Sequence, residues 1–357
     1  MGWIRNLESL DGAQHYTVEY ELASECQIPG LLDYADGKII CAPMSIRESK
    51  DGLWLYNLIL TYPFGRPCDV NRKVDEKGYY FKDSIVGELL ALISLFFRCR
   101  FYLISSRDAP ANRRQGLTIK TEYPFLRRSC NPGIHPPVFE NGNKKFGKEV
   151  ADFLDLARTL DVNLHQKFVL ACHHYALALK EIGIDPEMIF IRLVSAIEAL
   201  AKDMPLATKD DALEERTVID LIEGSKLNGK LQNELKSVFE VRKSGKRFIR
   251  FVETHCAGFF KGGNFKAKHL KIKRTDLPKT LAVIYKARSR YLHEGESMSL
   301  ITRIKGFDKW DLDPGEGVVD NRLFPASKKL PHAYFFEGLV RKCILDYLQK
   351  NSTTLTP

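Results

Sequence analysis

Apolar positions along this chain follow two different periods, and the change from one to the other divides it. Over residues 15–22, 38–42 and 53–62, β-branched and aromatic side chains alternate with polar ones. That is the period of strands burying one face. Asp36-Gly37 and Asp51-Gly52 stand between these runs as turn dipeptides. Residues 79–81, Tyr-Tyr-Phe, are a further short strand candidate. Residues 84–97 then form a nearly continuous apolar run that carries Glu88. A membrane span needs about 20 apolar residues, so this run predicts a buried core helix instead. Residues 101–105 read as a closing strand. The expectation is a compact α+β N-terminal domain over residues 1–106.

The strand period stops at residue 107. Pro110, Pro124, Pro132, Pro136 and Pro137 break up residues 107–145, and Asn141-Gly142 adds a turn. This segment reads as an irregular linker with one strand candidate at 117–122. From residue 146 the period becomes helical. Val150, Phe153, Leu154 and Ala157 mark one helix, and Phe168, Cys172, Tyr175 and Leu179 a second. Asp185 and Pro186 open a third, striped by Ile189, Leu193, Ile197 and Leu200. A shorter helix is expected to end near Ile222, and another over residues 231–251 with a break at Ser244-Gly245. A second irregular stretch, 302–331, precedes a last helix at 334–348. Residues 146–357 should therefore form an all-α bundle of at least four helices.

Within that half, residues 277–295 (LPKTLAVIYKARSRYLHEG) hold the densest chemistry. Leu277, Leu281, Ile284, Tyr285 and Leu292 recur at helical spacing; Asp276 and Pro278 mark the start and Gly295 the end. Arg288 falls on the apolar stripe between Ile284 and Leu292. Arginine is rarely buried there without a partner. His293 sits in the last turn, about 140° round an ideal helix from Arg288. Two readings stand side by side. In the structural one, Arg288 pairs with a buried acid, and the helix dipole favours charge on His293. In the functional one, the guanidinium holds a phosphate and the imidazole exchanges a proton at a cleft. Glu198 lies on the line Phe190, Val194, Glu198 of another apolar helix and also needs a partner.

The segment from Tyr285 to Gly295, with Arg288 and His293, resembles the Arg-x4–6-His signature of HEPN domains, most closely the Apea-like HEPN group. Residues 191–200 (IRLVSAIEAL), with Glu198, resemble the glutamate-bearing second helix of that family. The resemblance covers roughly the second half of the chain. It implies an α+β N-terminal domain followed by an all-α HEPN-type helical bundle. Many such domains are metal-independent ribonucleases, and they often work as dimers. The implied protein is a cytoplasmic endoribonuclease that uses no cofactor and cleaves single-stranded or structured RNA. It would act as a toxin-like homodimer in anti-phage defence or stress response, with the N-terminal domain sensing a phage or cellular trigger. Arg288 would hold the phosphate, His293 would move the proton, and Glu198 would orient Arg288. Ser289 follows Arg288 where nucleases of the wider family often carry Asn, Asp or His. The competing expectation is a catalytically silent HEPN module that binds RNA or a partner protein.

Charge sharpens the RNA reading. The net charge is +9, which favours polyanionic partners. Residues 242–274 concentrate it, with Lys266, Lys268, Lys271, Lys273 and Arg274 directly before the motif helix and Glu253 the lone acid. Phe259, Phe260 and Phe265 lie among these cations, a mixture suited to phosphates and stacked bases. Arg290 shares a helix face with Lys286 and His293 and could add a phosphate contact. Eight scattered cysteines without a C-x-x-C pair read as reduced, mostly buried thiols. No ligand cluster has convincing metal spacing. Residues 224–230 imitate a P-loop, but Leu231 stands where a Mg²⁺-binding hydroxyl belongs.

Overall fold

The computed structural model describes residues 14–48, 53–64, 84–108, 144–182, 185–205, 217–261, 272–296, 318–319, 322–323, 331 and 333–352. The strand candidates at 79–81 and 117–122, and Lys266, Lys268 and Lys271, lie outside them. Contacts divide the chain into two units, Met1–Ile184 with Leu348–Pro357, and Asp185–Tyr347.

The first unit is built on an antiparallel sheet of β1 (Gln14–Ser24), β2 (Leu32–Tyr34), β3 (Ile39–Glu48), β4 (Trp54–Phe64) and β5 (Phe101–Asp108). The strand order is β2-β3-β4-β1-β5, with every neighbouring pair antiparallel. Leu22, Ile39, Cys41, Tyr56, Leu58 and Leu60 are buried. Between β4 and β5 the chain forms α1 (Ser84–Phe97), the apolar run of the sequence, buried almost throughout. β2 has only three residues, too few to show a period, and it joins the sheet by pairing Leu32 with Cys41. At Gly30 the chain approaches Phe146 so closely that a Cβ would lie 2.3 Å from the Phe146 carbonyl oxygen. With φ at 97°, that position requires glycine.

Two helices group with this sheet: α2 (Lys148–Arg158) and α3 (Val162–Glu181). α1 packs chiefly on α3. Hydropathy alone assigned both helices to the C-terminal half, because a helical stripe reports a face to bury and not the surface that buries it. Polar groups reinforce the packing. Tyr34 Oη donates to Asp155 Oδ1 at 2.7 Å, and buried His165 places Nε2 3.2 Å from Glu88 Oε1 and Nδ1 3.0 Å from the Ala157 carbonyl.

The second unit holds α4 (Pro186–Ala201), α5 (residues 217–223), α6 (Gly229–His255), α7 (Leu277–Glu294) and α8 (Ala333–Asn351, up to Tyr347). Asp185 caps α4, accepting from the Glu187 and Met188 amides at 2.9 and 3.1 Å. α4, α6 and α7 pack on one another. α8 joins them where Phe190 stacks on Phe336 at 5.4 Å, and where His255 Nδ1 meets Asp346 Oδ2 at 2.9 Å. The expected break at Ser244-Gly245 is not there: α6 runs unbroken through both residues. Gly245 serves the packing, since a Cβ there would come within 3.1 Å of the Tyr285 ring. α7 buries one face, with Leu277, Leu281, Ile284, Tyr285 and Ala287 inward, while Leu292 in its last turn is 47% exposed. Among the described residues, no helix is long and apolar enough to cross a membrane.

Candidate functional site

The site forms where α4, α6 and α7 meet. α7 starts from a short 3₁₀ turn, Arg274–Asp276, and Asp276 makes no side-chain cap. Its end is sharper: Gly295 takes the left-handed conformation at φ 67° and stops the helix one residue after Glu294. Helical spacing sets Tyr285 and Arg288 one turn apart on the inward face, over α4. From α4, Glu198 reaches both. Arg288 Nη2 donates to Glu198 Oε2 at 2.8 Å, and Tyr285 Oη donates to Glu198 Oε1 at 2.8 Å. Each carboxylate oxygen thus receives one donor. The guanidinium also lies over the Tyr285 ring, 6.0 Å from its centroid.

α6 supports the tyrosine from the other side. The glycine at 245 lets the ring sit against the helix backbone, Phe248 packs on it at 5.5 Å, and the Ser244 side chain hydrogen-bonds its hydroxyl. Burial raises the Tyr285 hydroxyl well above its ordinary value, and the Glu198 charge and hydrogen bond raise it further. Arg288 and Ser244 oppose that shift without cancelling it. Tyr285 therefore stays a neutral donor to Glu198 through the physiological range.

The resulting triad is half open. The Arg288 and Glu198 side chains are 19% and 24% exposed. Arg288 Nε is buried yet has no hydrogen-bond partner among the described residues. A guanidinium held by one hydrogen bond and still partly exposed can bind an anion without surrendering its carboxylate.

The structure brings Arg288 and Glu198 together but leaves His293 apart from them. His293 is exposed in the last turn of α7 and makes no hydrogen bond or ion pair among the described residues. Arg290 faces solvent and pairs with Glu296 at 2.8 Å. Lys273 and Arg274 are exposed at the entry to α7. Tyr285 was missed as a site residue in the sequence, where it reads as one more member of the apolar stripe. Its i, i+3 spacing from Arg288 was the available signal. Among the described residues, no group of three or more His, Cys, Asp or Glu side chains converges as metal ligands would. No protein-family model, curated protein or solved structure matches this chain.

Proposed function

We propose that the chain is a HEPN-type, metal-independent endoribonuclease. The observation that carries this reading is the half-open Glu198–Arg288 pair, steadied by Tyr285. In the proposed reaction a ribose 2′-OH attacks the adjacent phosphate. Arg288 neutralises charge building on the phosphorane, Glu198 orients Arg288, and His293 shuttles the proton. His293 lies on the same helix but points elsewhere on an ideal helix, so a second copy of the chain could complete the cleft. Lys273, Arg274 and Arg290, with Lys266, Lys268 and Lys271, would guide the RNA backbone to it. The activity fits a toxin-like effector of phage defence or stress response, restrained by the N-terminal unit until triggered.

A second reading, a catalytically silent module that binds RNA or a protein, is favoured by one observation. His293 has no hydrogen-bond partner among the described residues to fix its ring, as a general base normally has. One assay separates the two. Purified protein is incubated in EDTA with matched RNA and DNA oligonucleotides, and the ends are analysed by mass spectrometry. The nuclease reading expects RNA cut to 2′,3′-cyclic phosphate ends, DNA untouched, and cleavage lost in Arg288→Ala and in His293→Ala. Activity that needs added Mg²⁺, or equal cutting of DNA, would overturn it. RNA bound but never cut selects the silent module.

A further inference from the structure

The first unit buries a pair of thiols that the proposed function does not use. β1 and β5 run antiparallel, and their ladder ends with Ser24 opposite Phe101. Extending that register puts Glu25 opposite Arg100 and Cys26 opposite Cys99. The first of these pairings is seen directly: Arg100 N donates to Glu25 Oε1 at 3.3 Å, and Arg100 Nε to Glu25 Oε2 at 2.7 Å. Ser24 touches both cysteines. Its Oγ accepts the Cys26 amide at 3.3 Å and donates to Cys99 Sγ at 3.6 Å. The two thiols are hydrogen-bonded neighbours, and both are free and buried. Directly opposed residues of an antiparallel pair have Cα atoms about 4.5–5.5 Å apart. Disulfides span about 4.4–6.8 Å between Cα atoms, a range that opposed positions just past the end of this ladder approach, and Ser24 Oγ holds the two cysteines side by side.

We propose that Cys26 and Cys99 are an oxidisable pair, closed to a disulfide by a peroxide and reopened by a dithiol. The chemistry balances in two steps. The Cys26 sulfur attacks a peroxide oxygen, the O–O bond breaks, and a sulfenic acid and one water result. The Cys99 sulfur then attacks the sulfenic sulfur, the S–O bond breaks as S–S forms, and a second water leaves. The thiols lose two electrons and two protons to the peroxide. Burial holds the Cys99 thiol well above its ordinary value, so its attack on the sulfenic sulfur is slow while the pair stays closed from solvent. Because neither sulfur faces solvent, closure runs at the rate of local opening of the sheet edge. The bond would tie the chain on either side of β2, β3, β4 and α1, restrict the unfolded state strongly, and hold the first unit together.

The test uses the full chain and needs no RNA, so it is independent of the nuclease reading. Protein is exposed to hydrogen peroxide, quenched, denatured, alkylated and digested for mass spectrometry. A linked pair of peptides containing Cys26 and Cys99, two hydrogens lighter than the sum and separated by dithiothreitol, is the expected result. The thermal midpoint should rise by roughly 5–10 °C on oxidation and return on reduction. Cys99→Ala should abolish both changes; if it does not fold, Cys26→Ser and the map of the unaltered protein decide. Recovery of both residues as alkylated thiols, as sulfinic acids, or linked to other cysteines would overturn the proposal.

Discussion

Each unit contains a Glu–Arg pair, and the two pairs are built for different ends. In the first, Glu25 and Arg100 are sealed, with side chains 1% and 9% exposed. All three guanidinium nitrogens of Arg100 are engaged: Nε and Nη2 donate to Glu25, and Nη1 to the Ile182 carbonyl at 3.2 Å. In the second, Glu198 and Arg288 share one hydrogen bond and stay partly open, and Arg288 Nε has no hydrogen-bond partner among the described residues. The sealed pair is closed to a ligand by its burial. It joins the strand β5 to the end of α3 and acts within the fold. The open pair keeps its charge near solvent. The same two residue types therefore read as structure or as site according to how completely their hydrogen bonds are satisfied.

The sharpest test of this contrast is to break each pair in turn. Arg100→Ala leaves the Glu25 carboxylate buried and alone, and should cost about 3–5 kcal/mol in urea unfolding. Arg288→Ala leaves Glu198 partly solvated and still bonded to Tyr285, so its cost should be about 1 kcal/mol. Equal losses at the two positions would erase the distinction.

Tyr285→Phe probes the support of the open pair. Loss of the hydroxyl removes one hydrogen bond to Glu198 and should cost about 1 kcal/mol near neutral pH. The Tyr285 hydroxyl is raised above its unfolded value, so its stabilisation is fully present below the ordinary phenol range near 10. It is lost as pH climbs through the folded value. Stability of the unaltered protein minus that of the Phe variant should therefore shrink above about pH 10, followed by denaturant titration at a series of pH values. A constant difference would show that the Tyr285 proton is not linked to folding.

His293→Ala should have the smallest effect on stability, within about 0.5 kcal/mol, because the ring is exposed and has no hydrogen-bond partner among the described residues. Its effect on RNA cleavage should be complete. A folded His293→Ala protein with full cleavage would remove His293 from the site and leave the open Arg288 pair to be explained by binding alone.

Much of the local structure was written in consecutive residues. Alternation marked β1, β3 and β4, residues 101–105 read as the strand that is β5, a nearly continuous apolar run marked α1 at Ser84–Phe97, and Asp185-Pro186 marked the start of α4. These signals are local because strand pleat, helix period and caps depend on a few neighbouring side chains. The need of Arg288 and Glu198 for partners was also legible, since a charge on an apolar stripe is costly alone. Which faces meet was not legible, because partner choice depends on residues far apart in the chain. Only the tertiary structure grouped α2 and α3 with the sheet. It also carried α6 straight through Gly245, where the missing Cβ makes room for a ring forty positions on (Tyr285). The same packing turned Tyr285 from a stripe residue into the donor that holds Glu198. It left Leu292 exposed, although the period placed it on the buried face. Periodicity states that a face is to be covered; the length and position of the covering helices decide how much of it is.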